Sequence, residues 1–388
     1  MRNRIKELLQ ESLGVPSGIV DSTKKIFKNL SSQIDDVDKD SEDLEYEFEI
    51  HEEITISDIT FDGVDFTIKC HKLDEYDSIE IAGYRVGTEI KKFISQPTIR
   101  YEIPDILRIE MILVVPSDFT FNQISELFKT RQTDIISSLT HEIKHSFDHI
   151  KKPIEGLANS AKYSVYSNFK PGPPPINKLL HYMYFVTVTE NLVRPSELAS
   201  IIDVEQVSRK DFLNFLTSNY TYKMLKEINY FSVEKFKKDL LEYLPMIEEI
   251  LEELNVPTNI SDDEKINKFL DIFLITVKNA KASELSGMLI SNFMEAVTGK
   301  IHPNKEKYFT QFIKKLNKFK NGQQFLEYQE KYFKFVTTKV MKKLSKLYAM
   351  TKKDNTNESI VNWESYHKVV KPKYTEFVKE SKYFKTKK

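Results

Sequence analysis

Between Glu45 and Ile50 the chain reads EYEFEI, with Tyr46, Phe48 and Ile50 alternating against glutamates. A period of two places every second side chain on one face of an extended backbone, which predicts a half-buried strand. EITISDI, VDFTIKCH, SIEIAGYRV, PTIRYEI and ILRIEMILVVP repeat the signal, separated by turn-forming stretches such as FDGVD and DEYDS. A mostly antiparallel sheet is therefore expected over residues 45–116. Before it, two short helices broken at GVPSG fill about 33 residues, and an acidic linker runs on to about Glu45.

After Pro116 the apolar spacing becomes helical. Residues 121–130 and 132–151 each read as a helix, the second ending before Pro153. KPGPPP at 170–175 cannot continue any helix. A helix from about Ile176 to Val193 follows, then a break at RPSE and a short helix to about Asp203. From about 205 onward the chain is a succession of amphipathic helices, one opened by the capping box Ser261-Asp-Asp-Glu264. The expected fold class is α+β: a mostly antiparallel sheet, then a histidine-bearing helix, then an all-helical C-terminal lobe. The expected segments are 1–44, 45–204 and 205–388.

Composition changes this picture little. At 388 residues with 40% hydrophobic and 30% charged side chains, the chain is long enough for a large core. Its net charge of −1 points to no partner, but the charge is unevenly placed. Residues 35–58 hold twelve acids and one lysine, whereas 300–388 hold 23 lysines, no arginine and 8 acids. Cys70 alone cannot form an internal disulfide. No apolar run approaches the ~18 residues of a membrane span, so no membrane partner and a cytoplasmic location are expected. Lysine outnumbers arginine 49 to 8, the bias that AT-rich coding DNA produces in a low-GC bacterium or its phage.

The candidate chemistry lies in SSLTHEIKHSFDHIKKP, Ser137 to Pro153. Residues four apart on a helix are neighbours one turn apart, so His141 and His145 can share one ion, and Glu142 is placed to hold the water which that ion activates. With His141 at zero, His145 falls at about 40°, while Ile136, Leu139, Ile143, Phe147 and Ile150 cluster between about 160° and 240°. The histidines thus face away from the hydrophobic stripe, toward a second element. His149 lies roughly 12 Å along the helix from His141, too far to join the same tetrahedral ion.

HExxH in this setting resembles the zinc metallopeptidases, over about Ile106 to Asp203. The metzincin pattern HExxHxxGxxH is excluded, because Asp148 and Lys151 stand at its glycine and final histidine positions. The resemblance to the gluzincin branch implies a third ligand from a glutamate on a later helix. In TVTENLVRPSELASII the candidates are Glu197, preferred for its small neighbours, and Glu190. In the thermolysin-like pattern an aspartate four residues after that glutamate orients the first histidine. Counted from Glu197, that position is Ile201, leaving Asp148 or Asp203 as substitutes. The resemblance further implies Zn2+ as cofactor, a peptide or protein as substrate, Glu142 as general base, and a His or Tyr at the oxyanion, for which His181 is the candidate. The strand near Ile112 to Val115 is a candidate to align that substrate by strand addition.

Two other readings compete. The chain also resembles the HExxH proteins encoded by large tailed phages, which implies a virion structural or assembly protein with a peptidase-like zinc fold and little catalysis. The lysine-rich C-terminal helices interleave Tyr308, Phe309, Phe312, Tyr332 and Phe333, which suggests a nucleic-acid surface. Most of those aromatics fall at core-facing helical spacing, which argues against it.

Overall fold

The computed structural model describes residues 13–72, 93–97, 106–115, 119–151, 173–278, 314 and 317–351. The expected α+β class is observed. The GVPSG break is real: Gly14 and Gly18 both adopt φ 78°, the left-handed conformation that costs glycine little. Helix α1 (Ile19–Asp36) starts directly after Gly18 and buries Ile19, Ile26, Leu30 and Ile34.

Strand β1 (Glu45–Ile50) is the segment that the alternation predicts, with Tyr46, Phe48 and Ile50 inward. EITISDI was expected as one strand and is instead a hairpin, β2 (Ile54–Ile56) with β3 (Ile59–Phe61). Ser57 at φ 55° makes the tight turn, a conformation two-residue hairpin loops require. Strands β4 (Gly63–Lys72), β5 (Phe93–Pro97) and β6 (Ile106–Val115) complete a four-stranded sheet in the order β1-β4-β6-β5. The outer pairings are antiparallel, but the central one, β4 with β6, is parallel. SIEIAGYRV and most of PTIRYEI lie outside the described residues.

This arrangement corrects one expectation. β6 is an interior strand, paired with β4 along Ile106–Val115 and with β5 over Ile109–Leu113. Paired on both sides over Ile109–Leu113, it offers no free edge for strand addition there, while Val114 and Val115 pair with β4 alone among the described residues. Alternate residues Val64, Phe66, Ile68 and Cys70 of β4, and Leu107, Ile109, Met111 and Leu113 of β6, are buried on the sheet's inner face.

Helices α2 (Phe121–Thr130) and α3 (Gln132–Lys151) have the bounds that the spacing predicts. Thr120 and Gln123 form a capping box that starts α2. On α3 the stripe Ile136, Leu139, Ile143 and Phe147 is buried, and the helix packs against α1 and the sheet.

Helix α4 (Pro174–Phe185) ends eight residues earlier than expected, and α5 (Val188–Val204) runs through Pro195 without a break. Proline lacks the N–H that would close one helical hydrogen bond, typically at a cost of ~3 kcal/mol in a helix interior. Burial of Val193, Leu198, Ala199 and Ile202 around it offsets that loss.

Beyond residue 205 come α6 (Phe212–Ser218), α7 (Tyr220–Asn229), α8 (Val233–Leu241), α9 (Leu244–Glu253), a helix α10 over 262–278, and α11 (Gly322–Ser345) with a 3-10 turn, Lys346–Met350. The capping box at Ser261 and Glu264 forms as expected. These helices share one continuous hydrophobic core with the sheet and α1. Tyr182 of α4 meets Phe231 and Phe333 edge-on at 6.3 Å, and Asn229 donates to Thr337 at 2.8 Å. No described helix is long and apolar enough to cross a membrane.

Candidate metal centre

The polar face of α3 meets α5. Across that contact, His141, His145 and Glu190 form a group whose ligand atoms all lie within 4.8 Å of one another, close enough to hold a metal ion. The two Nε2 atoms are 3.1 Å apart, and Glu190 lies 3.5 Å from His141 Nε2 and 3.4 Å from His145 Nε2. A tetrahedral ion with bonds of ~2.0–2.1 Å has ligand-to-ligand edges of about 3.3–3.4 Å. The separation of the two imidazoles and the shortest approach of Glu190 to each, Oε2 to His141 and Oε1 to His145, lie close to that edge. Both histidine side chains are only 13% exposed and Glu190 only 6%.

Of the two candidate glutamates, the group therefore contains Glu190, the less favoured one. Glu197 stands on the other side of the same imidazole, its carboxylate 3.2 Å from His141 Nδ1. A carboxylate there accepts the Nδ1 proton and leaves the Nε2 lone pair facing His145 and Glu190. Counted from Glu190, the position four residues on is Arg194, and the carboxylate beside His141 Nδ1 is that of Glu197. Asp148 pairs with Lys144, and Asp203 pairs with Lys24 at 2.7 Å, so neither expected substitute is placed at His141.

A residue that sequence reasoning missed joins the two carboxylates. Arg194 donates from Nη2 to Glu190 at 2.9 Å and from Nη1 to Glu197 at 2.8 Å. Its guanidinium lies 4.5 Å from the centre of the Phe185 ring and is 12% exposed. The available signal was spacing: Glu190, Arg194 and Glu197 stand at i, i+4 and i+7, one face of a continuous helix. Reading Pro195 as a break hid it.

Electrostatics follow from this burial. For Glu190 and Glu197 burial opposes the charged form, but the imidazoles and Arg194 outweigh it and hold both carboxyls well below the usual range. Burial likewise opposes a charged His141, yet Glu190 and Glu197 raise its pKa on balance, whereas burial prevails at His145 and lowers it. Glu142 follows His141 on α3, and burial pushes its carboxyl up to about 8, against the pull of His141. With the imidazoles and Glu142 neutral, the two carboxylates of Glu190 and Glu197 against one guanidinium leave one uncompensated negative charge. A bound cation offsets that charge, and without one it favours a proton on His141. The donor set and its spacing fit a metal ion.

His181 of α4 lies 3.5 Å from Tyr220 Oη, with its ring against Tyr184 and Phe185, so Phe185 touches both His181 and Arg194. The side chain of His149 lies outside the described residues, as do Tyr308, Phe309 and Phe312. Phe333 is fully buried, and Tyr332 is partly buried beside Val186. The chain matches no family model, no curated protein and no solved structure in these comparisons, so the centre stands on its own geometry.

Proposed function

We propose that the chain is a zinc-dependent hydrolase of the HExxH kind, acting on peptide bonds. The observation that carries this is the convergence of His141 Nε2, His145 Nε2 and Glu190 at separations of 3.1 to 3.5 Å. Two imidazole lone pairs and a carboxylate suit zinc better than magnesium or calcium, which prefer oxygen ligands throughout. His141, His145 and Glu190 would hold the ion, and Glu197 would fix the tautomer of His141. When bound, the ion supplies a Lewis acid that polarises a carbonyl and lowers the pKa of water toward ~7.

Glu142 supplies the proton chemistry. Burial raises its carboxyl pKa while His141, and a cation when bound, act against that rise, so the group is able to take a proton from water and return it to the leaving amine. His181, beside Tyr220 and the Phe185 ring, stays the candidate to stabilise the oxyanion. In the decisive experiment Glu142→Gln keeps its zinc and loses roughly 10²–10⁴-fold in peptide cleavage. A variant that cleaves as fast as the wild type would remove Glu142 from the mechanism.

The burial of the centre favours a second reading. Structural zinc sites are closed, and here the acidic ligand is 6% exposed and tied to Arg194. A virion or other assembly protein that keeps the ion as a cross-link between α3 and α5 would share that geometry. Digestion of a peptide library, with and without chelator, separates the two. Chelator-sensitive cleavage selects the hydrolase, and inert zinc-loaded protein selects the assembly module.

A further inference from the structure

We infer that Arg194 is the positioning residue of the metal centre: its guanidinium holds Glu190 and Glu197 at fixed places on either side of His141. The inference rests on the metal reading above and adds to it a residue outside the HExxH pattern.

The geometry is specific to a planar, forked cation. Two different terminal nitrogens reach two different carboxylates, at 2.9 Å to Glu190 and 2.8 Å to Glu197. The bonded oxygen of Glu190 is Oε2, while Oε1 is the oxygen nearest His145 Nε2. Arg194 therefore holds the Glu190 oxygen that lies 3.5 Å from His141 Nε2 and, by fixing the rotation of that carboxylate, turns Oε1 toward His145 Nε2 at 3.4 Å. On its other side it holds Glu197 Oε2, the atom 3.2 Å from His141 Nδ1. Phe185 beneath the guanidinium fixes its plane. A lysine ammonium is a point charge and cannot reproduce two divergent bonds from one plane.

Simple electrostatics predicts the opposite of positioning. A cation beside the ligands repels a second cation, so if charge alone mattered, removing Arg194 would tighten metal binding. Positioning predicts weaker binding. Zn2+ affinity, measured by competition with a chromophoric chelator, thus distinguishes the roles without any substrate. Arg194→Lys keeps the charge. The double variant Arg194→Gln with Glu197→Gln removes one buried charge of each sign and so leaves the net charge of the cluster unchanged, with Glu197→Gln alone as its reference.

Circular dichroism first establishes that each variant is folded. Folded Arg194→Lys is then expected to bind Zn2+ ~10–100-fold more weakly than the wild type, and the double variant ~10–100-fold more weakly than Glu197→Gln alone, the range typical for outer groups that orient metal ligands. Affinity of folded Arg194→Lys equal to or tighter than wild type, or of the folded double variant equal to or tighter than Glu197→Gln, overturns the inference while leaving the metal reading intact. Failure of Arg194→Lys to fold while the double variant folds and binds as tightly as Glu197→Gln also overturns it, since the residue then serves only to balance charge. A wild-type chain that takes up no Zn2+ sinks the metal reading itself, and this inference with it.

Discussion

At the scale of single residues, the two glutamates of α5 differ only in which nitrogen of His141 they face. Glu190 lies on the Nε2 side with His145, and Glu197 lies on the Nδ1 side. That difference gives them different consequences. Glu190→Gln is expected to abolish measurable zinc binding, because a neutral amide replaces the one anionic ligand. Glu197→Gln should weaken it only ~10–100-fold, as an amide oxygen can still accept the Nδ1 proton. Titration of each variant with Zn2+ against a competing chelator checks both, and the reverse order of severity would exchange their roles. The pairing of His141 with His145 was legible in the sequence, because an i, i+4 relation is a local property of any helix. The choice between Glu190 and Glu197 was not, because it depends on how far α5 slides along α3.

At the scale of elements, two local rules failed for the same reason. Pro195 was read as a helix break and EITISDI as a single strand, yet packing made α5 continuous and folded the strand into a hairpin at Ser57. Propensity acts with about 1–3 kcal/mol, and burial of a few large side chains exceeds that. The element boundaries at β1, α2 and α3 came out as expected, because there the hydrophobic period and the caps agreed with the packing. A glycine shows how tight the helical lobe is. Gly322, at the first position of α11, donates its N–H to Asp271 at 2.7 Å, and a Cβ there would stand 2.3 Å from the backbone oxygen of Leu270. Gly322→Ala forces α10 and α11 apart and should cost about 1–3 kcal/mol, measured as a lower urea midpoint at unchanged slope.

At the scale of the whole molecule, the described part of the N-terminal segment, from Leu13 through α1, belongs to the core. An acidic linker and short helices suggest a cover that deletion would remove, with higher activity as the result. In the structure α1 packs against α3 and α5, the two helices that carry the centre, and Lys24 pairs with Asp203 at 2.7 Å. Ile19, Ile26, Leu30 and Ile34 are at most 1% exposed, and each contributes about 1.5–3 kcal/mol by burial, against a total stability of order 5–15 kcal/mol. Deletion of residues 1–44 is therefore expected to give insoluble or unfolded protein, checked by circular dichroism and size-exclusion chromatography of the truncated chain. A folded, more active truncation would contradict this. The lysine-rich end is likewise tied to the core where it is described: Phe325, Phe333, Val340 and Leu344 of α11 point inward. Phe333 is thus unavailable to stack on a base.

The amino-acid order alone determined what depends on neighbours in the chain: the alternating strands, the amphipathic helices, the HExxH face of α3 and the opposition of that face to an apolar stripe. Tertiary structure decided what depends on two segments meeting. It made β6 an interior strand beside a parallel partner, brought Glu190 to the imidazoles and Glu197 to the far side of His141, and inserted Arg194 between the two carboxylates. The physical reason is one of range. Backbone sterics and periodicity act over a turn or two, whereas the distance between side chains 49 residues apart, such as His141 and Glu190, is set by the shape of the core that packs beneath them.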